Sequence, residues 1–152
     1  KMKPLIVVCT DFSPCSELAL ERAADIARRD NTRVLIIHTF DPKKLKGPAA
    51  HAPTARDRRG WDEESMRLLR EARHRYFGHL ADADVQYDAI ACASPSVEIC
   101  RAANEAKASL IVLGSHGRTG VLRRLLGSVA ENTVRHAPCS VFVVRDQAAL
   151  PD

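Results

Sequence analysis

The most informative part of this 152-residue sequence is a glycine-bearing loop with the composition of an anion site. Gly114 and Gly117 follow an apolar run, and after a gap of nine residues Gly127-Ser128 precedes a helical pattern. Glycines let a backbone approach a ligand closely, and a helix N-terminus, where Ser128 is the expected cap, favours phosphate. The loop has neither the Gly-Lys-[Ser/Thr] of a Walker A sequence nor a GxGxxG pattern. The spacing alone therefore leaves two interpretations open, a phosphate site and an ordinary turn.

Polar residues also follow the first two apolar runs of the chain. Thr10-Asp11 comes after the first run and Thr39 after the second. Asp11 is either a ligand-binding carboxylate or a turn and capping residue. His116 in the glycine loop has the chemistry of an acid or base, but the sequence places no carboxylate or nucleophile beside it, which favours loop packing or phosphate contact. His38, at the end of a buried strand, is expected to be a hydrogen-bonded core histidine.

Five apolar runs predict the strands that must position these residues. Helical patterns separate them, and Ser13-Pro14 and Ser94-Pro95 each resemble a cap followed by the first residue of a helix. This alternation predicts an α/β three-layer sandwich with a mostly parallel five-stranded sheet, in which ligands bind beyond the carboxyl ends of the strands. The predicted strands are Leu5–Cys9, Val34–His38, Val85–Ala91, Leu110–Leu113 and Ser140–Val144, and the predicted helices cover 14–29, a segment from Asp62, a segment from Pro95, and 128–136.

Length and composition fit one domain over residues 1–152. Residues 43–60, rich in proline, glycine and basic residues, are expected to form a flexible loop. No apolar run reaches the roughly 18 residues that a bilayer crossing needs, and the N-terminus has no signal-peptide pattern, so we expect a cytoplasmic protein with no membrane association. The five cysteines are odd in number and lack CxxC spacing, which favours reduced thiols over disulfides or zinc ligands.

The net charge of +4 invites a nucleic-acid interpretation that its distribution does not support. The basic excess falls between residues 43 and 75, and the rest of the chain is close to neutral. Aromatic residues make up only 5% of the chain, so stacking platforms for bases are scarce. Nucleic acid is therefore an unlikely partner.

Several motifs together resemble the universal stress protein family across almost the whole chain. They are Thr10-Asp11-Phe12-Ser13, His38-Thr39-Phe40-Asp41, the loop Gly114–Gly120, and the segment from Gly127 to Arg145. The G-x2-G-x9-G-[S/T] spacing resembles that of the family's ATP-binding branch. The resemblance implies a Rossmann-like fold of the adenine nucleotide alpha hydrolase-like type, with strand order 3-2-1-4-5.

The resemblance also implies a set of nucleotide-binding residues and a cofactor, ATP or another adenine nucleotide with Mg²⁺. Asp11 would bind the ribose hydroxyls, and Thr39 would offer backbone groups to adenine. Gly114 and Gly117 would pass beneath the ribose and phosphates, and Gly127, Ser128 and Val129 would donate N–H groups to the β- and γ-phosphates. Arg118, and Arg124 less directly, would balance charge. The full set is Thr10, Asp11, Thr39, Leu113, Gly114, Gly117, Arg118, Gly127, Ser128 and Val129. Ala93-Ser94-Pro95 stands where the family usually has Gly-x-Pro.

The residues and the family resemblance together suggest three possible functions of different classes. The first is an ATP-binding stress-response or signalling protein with at most slow ATP hydrolysis, the second a nucleotide-independent homodimeric adaptor. The third, an enzyme such as a nucleotidyl transferase or α-β phosphate hydrolase, lacks the expected HxGH or SGGxDS loop after the first strand. The resemblance also implies homodimerisation, and the apolar last strand, with Val141, Phe142, Val143 and Val144, is the expected contact. The sequence does not distinguish ATP from AMP or a cyclic nucleotide, nor does it name a protein partner.

Overall fold

A five-stranded parallel sheet forms the centre of the molecule. The computed structural model describes residues 1–44, 63–117 and 126–146. The strands are β1 (Leu5–Cys9), β2 (Arg33–Phe40), β3 (Val85–Ala91), β4 (Leu110–Gly114) and β5 (Ser140–Val144). They lie in the order β3-β2-β1-β4-β5, and each adjacent pair is parallel. The predicted fold class and strand order are confirmed.

Strand β2 extends two residues beyond the predicted end. Its pairing with β3 continues through Thr39↔Ile90 to Phe40↔Ala91, so the strand carries Thr39 within the sheet. Pro42–Lys44 then form a single 3₁₀ turn. The remainder of the predicted flexible loop, residues 45–60, lies outside the described residues.

In the described ranges, four α-helices cover the sheet: α1 (Pro14–Asp30), α2 (Glu63–Phe77), α3 (Pro95–Glu105) and α4 (Ser128–His136). Ser13 caps α1 as predicted, because its side chain accepts a hydrogen bond from the Ser16 N–H at 3.3 Å. Ser94 is the N-cap of α3 as predicted, with Pro95 following it, although its side chain makes no capping hydrogen bond. The predicted cap of α4 is wrong, because the cap is Gly127 and Ser128 is the first helical residue.

The alternation of side chains along each strand separates the core into two halves. On one face, Ile6, Val8 and Ile36 pack with the apolar stripe of α1 and with Leu69 and Phe77 of α2. On the other face, residues such as Val7, Ile37 and Ile111 pack with Ile99, Ala102 and Ala103 of α3 and with Ala130 of α4. Helices on both faces require strands that are apolar on both sides, which explains the continuous apolar runs in the sequence. No helix of the described ranges is long and apolar enough to span a membrane.

Candidate functional site

A cavity of about 360 Å³ opens at the carboxyl ends of β1, β2 and β4. This is the edge of the sheet at which an open α/β fold binds ligands. Nine of the ten predicted binding residues line it: Thr10, Asp11, Thr39, Leu113, Gly114, Gly117, Gly127, Ser128 and Val129. The tenth, Arg118, lies outside the described residues, as does Arg124. The fold therefore brings nine of the predicted residues together from three separate parts of the chain.

Asp11 lies in a tight turn between β1 and α1. Its Oδ1 accepts a hydrogen bond from the Ser13 N–H at 3.0 Å, which is the turn role that the sequence left open. Phe12 in the same turn has a φ of 62°, and its N–H donates to Thr10 Oγ1 at 3.0 Å. Thr10 is itself buried, with its Oγ1 3.1 Å from Ser16 Oγ. The turn role does not exclude a ligand role, because Asp11 also lines the cavity.

The three glycines allow close packing of the loop against its own neighbours. None of them requires a positive φ. A Cβ at Gly114 would lie 2.9 Å from Cys15 Sγ, and one at Gly117 would lie 2.7 Å from Asp11 Oδ2. At Gly127 the nearest atom would be the Ser115 carbonyl oxygen, at 3.1 Å. The glycines thus allow the loop backbone to lie close to these neighbours, and a side chain would meet backbone atoms at residues 114 and 127 and the Asp11 carboxylate at residue 117.

Helix α4 directs its N-terminus towards the cavity. Gly127, Ser128, Val129 and Ala130 are all lining residues, and the first N–H groups of a helix have no carbonyl partner within that helix. Gly127 is anchored by its own N–H, which donates to the Ser115 carbonyl at 2.6 Å. No side chain of the described residues caps this N-terminus. Backbone donors and the positive end of the helix dipole make it suitable for an anion.

His116 forms a pair with the adjacent Ser115. Ser115 Oγ lies 3.1 Å from His116 Nδ1, and the buried Cys15 thiol lies 3.9 Å from the same hydroxyl. Both Ser115 and His116 line the cavity. This arrangement fixes the imidazole beside the loop, in agreement with the packing or phosphate-contact role that the sequence favours.

Burial keeps two thiols neutral, that of Cys9, which lines the cavity, and that of Cys92, which does not. Burial raises the pKa of Cys9, a lining residue, well above its ordinary value, with a smaller contribution from Cys100. Burial also raises the pKa of Cys92 to about 11, Glu98 and Asp41 adding to the increase while hydrogen bonds from Ser94 and Thr39 oppose it. The five cysteines are free thiols, as predicted. Neutral thiols add no negative charge to a site that would receive an anion.

Several lining residues were missed at the level of sequence. They are Cys9, Ser16, Pro95, Ile99, Ser115 and Ala130. His116 also lines the cavity, and the sequence favours loop packing or phosphate contact for it. Pro95 and Ile99 reach the cavity because α3 connects β3 at one edge of the sheet to β4 and must cross the intervening strands. The strand order implies that crossing, so the sequence could have indicated that the start of α3 lines the cavity.

The last strand, β5, is an edge strand of the sheet, at the side opposite β3. It pairs with β4 and is the last strand in the sheet order. Phe142 is 41% exposed, Val141 and Val143 are partly buried, and Val144 belongs to the core.

Among the described residues, no group of His, Cys, Asp and Glu could hold a metal ion by itself.

Comparison with known proteins places the chain in the class of Rossmann-like α/β folds and then in one family. The model of the universal stress protein family matches residues 4–145. A universal stress protein of Staphylococcus aureus (strain USA300) is 30% identical over 150 residues, covering 97% of this chain and 87% of that one. A Staphylococcus haemolyticus relative of the same description is 28% identical over 148 residues, with the same coverage of both chains.

Solved structures agree with this assignment. A universal stress protein in complex with cAMP is 30% identical, with a TM-score of 0.67, and the match covers 95% of this chain and 98% of that one. A universal stress protein of Lactobacillus plantarum is 26% identical, with a TM-score of 0.72 and coverage of 95% and 99%. The chain belongs to the universal stress protein family.

Proposed function

We propose that this protein binds ATP with Mg²⁺ in the cavity at the carboxyl ends of β1, β2 and β4, and acts as a nucleotide-responsive stress or signalling module. The observation that carries the proposal is the convergence of the Asp11 turn, Thr39 and the N-terminus of α4 on one cavity. The volume of about 360 Å³ falls within the usual range for small-molecule sites. A related structure contains cAMP, which supports an adenine nucleotide as the ligand class.

The phosphate chain fits the α4 end of the cavity. The N–H groups of Ser128 and Val129 supply donors, and the helix dipole supplies partial positive charge. The described lining residues include no Lys or Arg, so charge balance would come from Arg118, whose position in the sequence adjoins Gly117. Mg²⁺ would enter with the phosphates, since it prefers phosphate oxygens and water to an all-protein cage.

The nucleoside fits the opposite end. Asp11 supplies the one carboxylate among the described lining residues, and it would accept hydrogen bonds from the ribose hydroxyls. Thr39 would offer its backbone to the adenine edge, and Pro95 and Ile99 of α3 supply apolar surface for the base. His116 also lines the cavity, but its Nδ1 contacts the hydroxyl of Ser115, which holds the imidazole in place. We therefore expect ATP hydrolysis to be slow at most.

The experiment is a nucleotide release and titration assay. Purified protein is denatured and the released nucleotide is identified by ion exchange, and then ATP with Mg²⁺, AMP and cAMP are titrated by calorimetry into wild type and Gly127→Val. A larger side chain at 127 would collide with Ser115 and His116 and displace the start of α4, so we expect at least tenfold weaker ATP binding. Val97→Ala, on an exposed position of α3 outside the cavity, is the matched control. Tighter binding of AMP or cAMP than of ATP would contradict the phosphate-chain assignment.

We also propose a homodimer through β5. Edge strands with exposed apolar side chains invite pairing, and the strand carries neither lysine nor proline to prevent it. Pairing of β5 with its copy about a two-fold axis would cover Phe142, which is the exposed apolar residue that favours this surface. If no nucleotide binds, the same surface supports the second candidate function, a nucleotide-independent homodimeric adaptor.

A further inference from the structure

We infer that His38 is a positioning residue, which holds the Thr10–Ser13 turn in the shape that presents Asp11 to the cavity. The inference rests on the proposed nucleotide site and assigns a role to a residue outside it. His38 lies on β2, between Ile37 and Thr39, and is only 8% exposed. It is not among the residues that line the cavity.

The first contact is a hydrogen bond to the turn. His38 Nδ1 lies 2.8 Å from the Thr10 carbonyl oxygen. A carbonyl oxygen only accepts, so the imidazole carries its proton on Nδ1 and donates it. The Thr10 N–H donates in turn to the Ile37 carbonyl at 2.9 Å. Both backbone groups of Thr10 are therefore fixed by β2, immediately before Asp11.

The second contact is between aromatic rings. The Phe12 and His38 ring centroids are 4.6 Å apart with the ring planes tilted by 43°, and on β2 the His38 and Phe40 centroids are 6.2 Å apart with nearly parallel planes. Phe12 has a φ of 62°, a conformation that bulky residues seldom adopt. Such conformations persist where the surroundings over-determine them, and they concentrate at ligand sites. The imidazole is the part of these surroundings that contacts both the residue before Asp11 and the residue after it.

The alternation of β2 explains why this role belongs to residue 38. Thr39 faces the cavity, whereas His38 points to the opposite side of the sheet, the side of Ile36 and Phe40. From that face of the sheet, His38 contacts the Thr10–Ser13 turn without lining the cavity. Loss of the donor would leave the Thr10 carbonyl buried without this partner, and we expect the turn to relax and Asp11 to lose its orientation.

Two variants separate the contribution of the His38 ring from that of its hydrogen-bond donor, and a third is the control. His38→Phe keeps a ring but removes the donor, whereas His38→Asn removes the ring and keeps an N–H donor near the Nδ1 position. Ile36→Val, buried on the same face of β2 but outside the turn, is the control for lost stability. The thermal midpoint of each variant is measured first, and binding and exchange are then measured well below it.

The first readout uses no nucleotide. Amide hydrogen exchange of Phe12 and Ser13 reports on the two turn hydrogen bonds, to Thr10 Oγ1 and Asp11 Oδ1. We expect exchange at these amides to be at least tenfold faster in His38→Phe and close to wild type in His38→Asn and Ile36→Val. Unchanged exchange in His38→Phe, or equal acceleration in Ile36→Val, would overturn the inference.

The second readout is the ratio of affinities for ATP and 2′,3′-dideoxy-ATP. Wild type is expected to prefer ATP by about tenfold, because two ribose hydroxyls would donate to Asp11. His38→Phe should reduce the preference to about twofold, and His38→Asn should retain most of it. A wild type with no preference would refute the ribose role in the proposed function, and the exchange result would then decide alone whether His38 holds the turn. A full preference in His38→Phe would overturn the inference and leave the proposed function standing.

Discussion

Asp11 and Gly117 are packed so closely that the position opposite the carboxylate has no room for a methyl group. A Cβ at residue 117 would lie 2.7 Å from Asp11 Oδ2, and both residues line the same cavity. The contact joins the turn after β1 to the loop after β4, which are distant in sequence. The identity of residue 117 therefore controls the orientation of a carboxylate more than a hundred positions away.

Gly117→Ala should weaken nucleotide binding with little effect on folding. Gly117 is exposed, so the new methyl group forces Asp11 to move without disturbing the core. We expect about tenfold weaker binding of ATP by calorimetry and a thermal midpoint close to that of wild type. In Gly78→Ala, the new Cβ would lie 2.7 Å from the His74 carbonyl, away from the cavity. That variant should show the opposite pattern, lower stability with unchanged affinity.

Gly114→Ala should destabilise the fold itself. The Cβ of the new alanine would lie 2.9 Å from Cys15 Sγ and 3.2 Å from the Cys15 backbone carbonyl carbon. Cys15 is only 2% exposed, so it has little room to move. Overpacking of a dense core costs about 1–3 kcal/mol, which urea unfolding would measure. The double variant with Cys15→Ala removes the sulfur but keeps the tight backbone contact, so we expect partial recovery. Strictly additive effects of the two substitutions would show that the sulfur contact is not the cause.

The strands and the loops that line the cavity were predictable because they depend on local patterns. β1 needs only the run Leu5–Cys9, and each strand buried on both faces leaves the same signature. The carboxyl ends of parallel strands then define one edge of the sheet, and the motifs that follow them must meet there. The confirmed strand order came from the family resemblance, since apolar runs do not say which strands are neighbours.

Other features depend on tertiary contacts that no local pattern encodes. The positive φ of Phe12 occurs at a residue type that rarely adopts it, and His38 beneath the turn is what the structure places against it. Gly127, and not Ser128, is the cap of α4, and its N–H donates to the Ser115 carbonyl, a contact between residues twelve positions apart that the local sequence does not indicate. The glycines signalled close approach in the sequence, but the partners, Asp11 among them, became visible only in the fold.

Stability should fall as the pH rises from about 9 to about 11, in part because of Cys92. Burial raises the pKa of this thiol from 9.0 to about 11, so the folded state keeps a proton that the unfolded chain releases. The contribution is fully present below pH 9 and is lost as the pH rises to 11. A shift of this size corresponds to about 2–3 kcal/mol. Urea unfolding at pH 8 and 11 should show a smaller loss in Cys92→Ser, which keeps a hydroxyl donor and does not titrate in this range. An equal loss in both proteins would exclude a contribution from this thiol.

Phe142→Lys should weaken self-association without weakening the fold. The side chain is 41% exposed on β5, and a lysine on an edge strand opposes pairing with another chain because it brings like charges together across the two-fold axis. We expect the dimer dissociation constant to increase at least tenfold, about 1.4 kcal/mol, in light scattering over a concentration series. Val97→Lys, which adds the same charge to an exposed position on α3, should leave association unchanged. Because β5 hydrogen-bonds to β4, whose end at Gly114 lines the cavity, the same series with saturating ATP tests whether nucleotide and dimer are coupled. A monomeric wild type at micromolar concentration would refute the β5 dimer and, with it, the adaptor alternative in its homodimeric form.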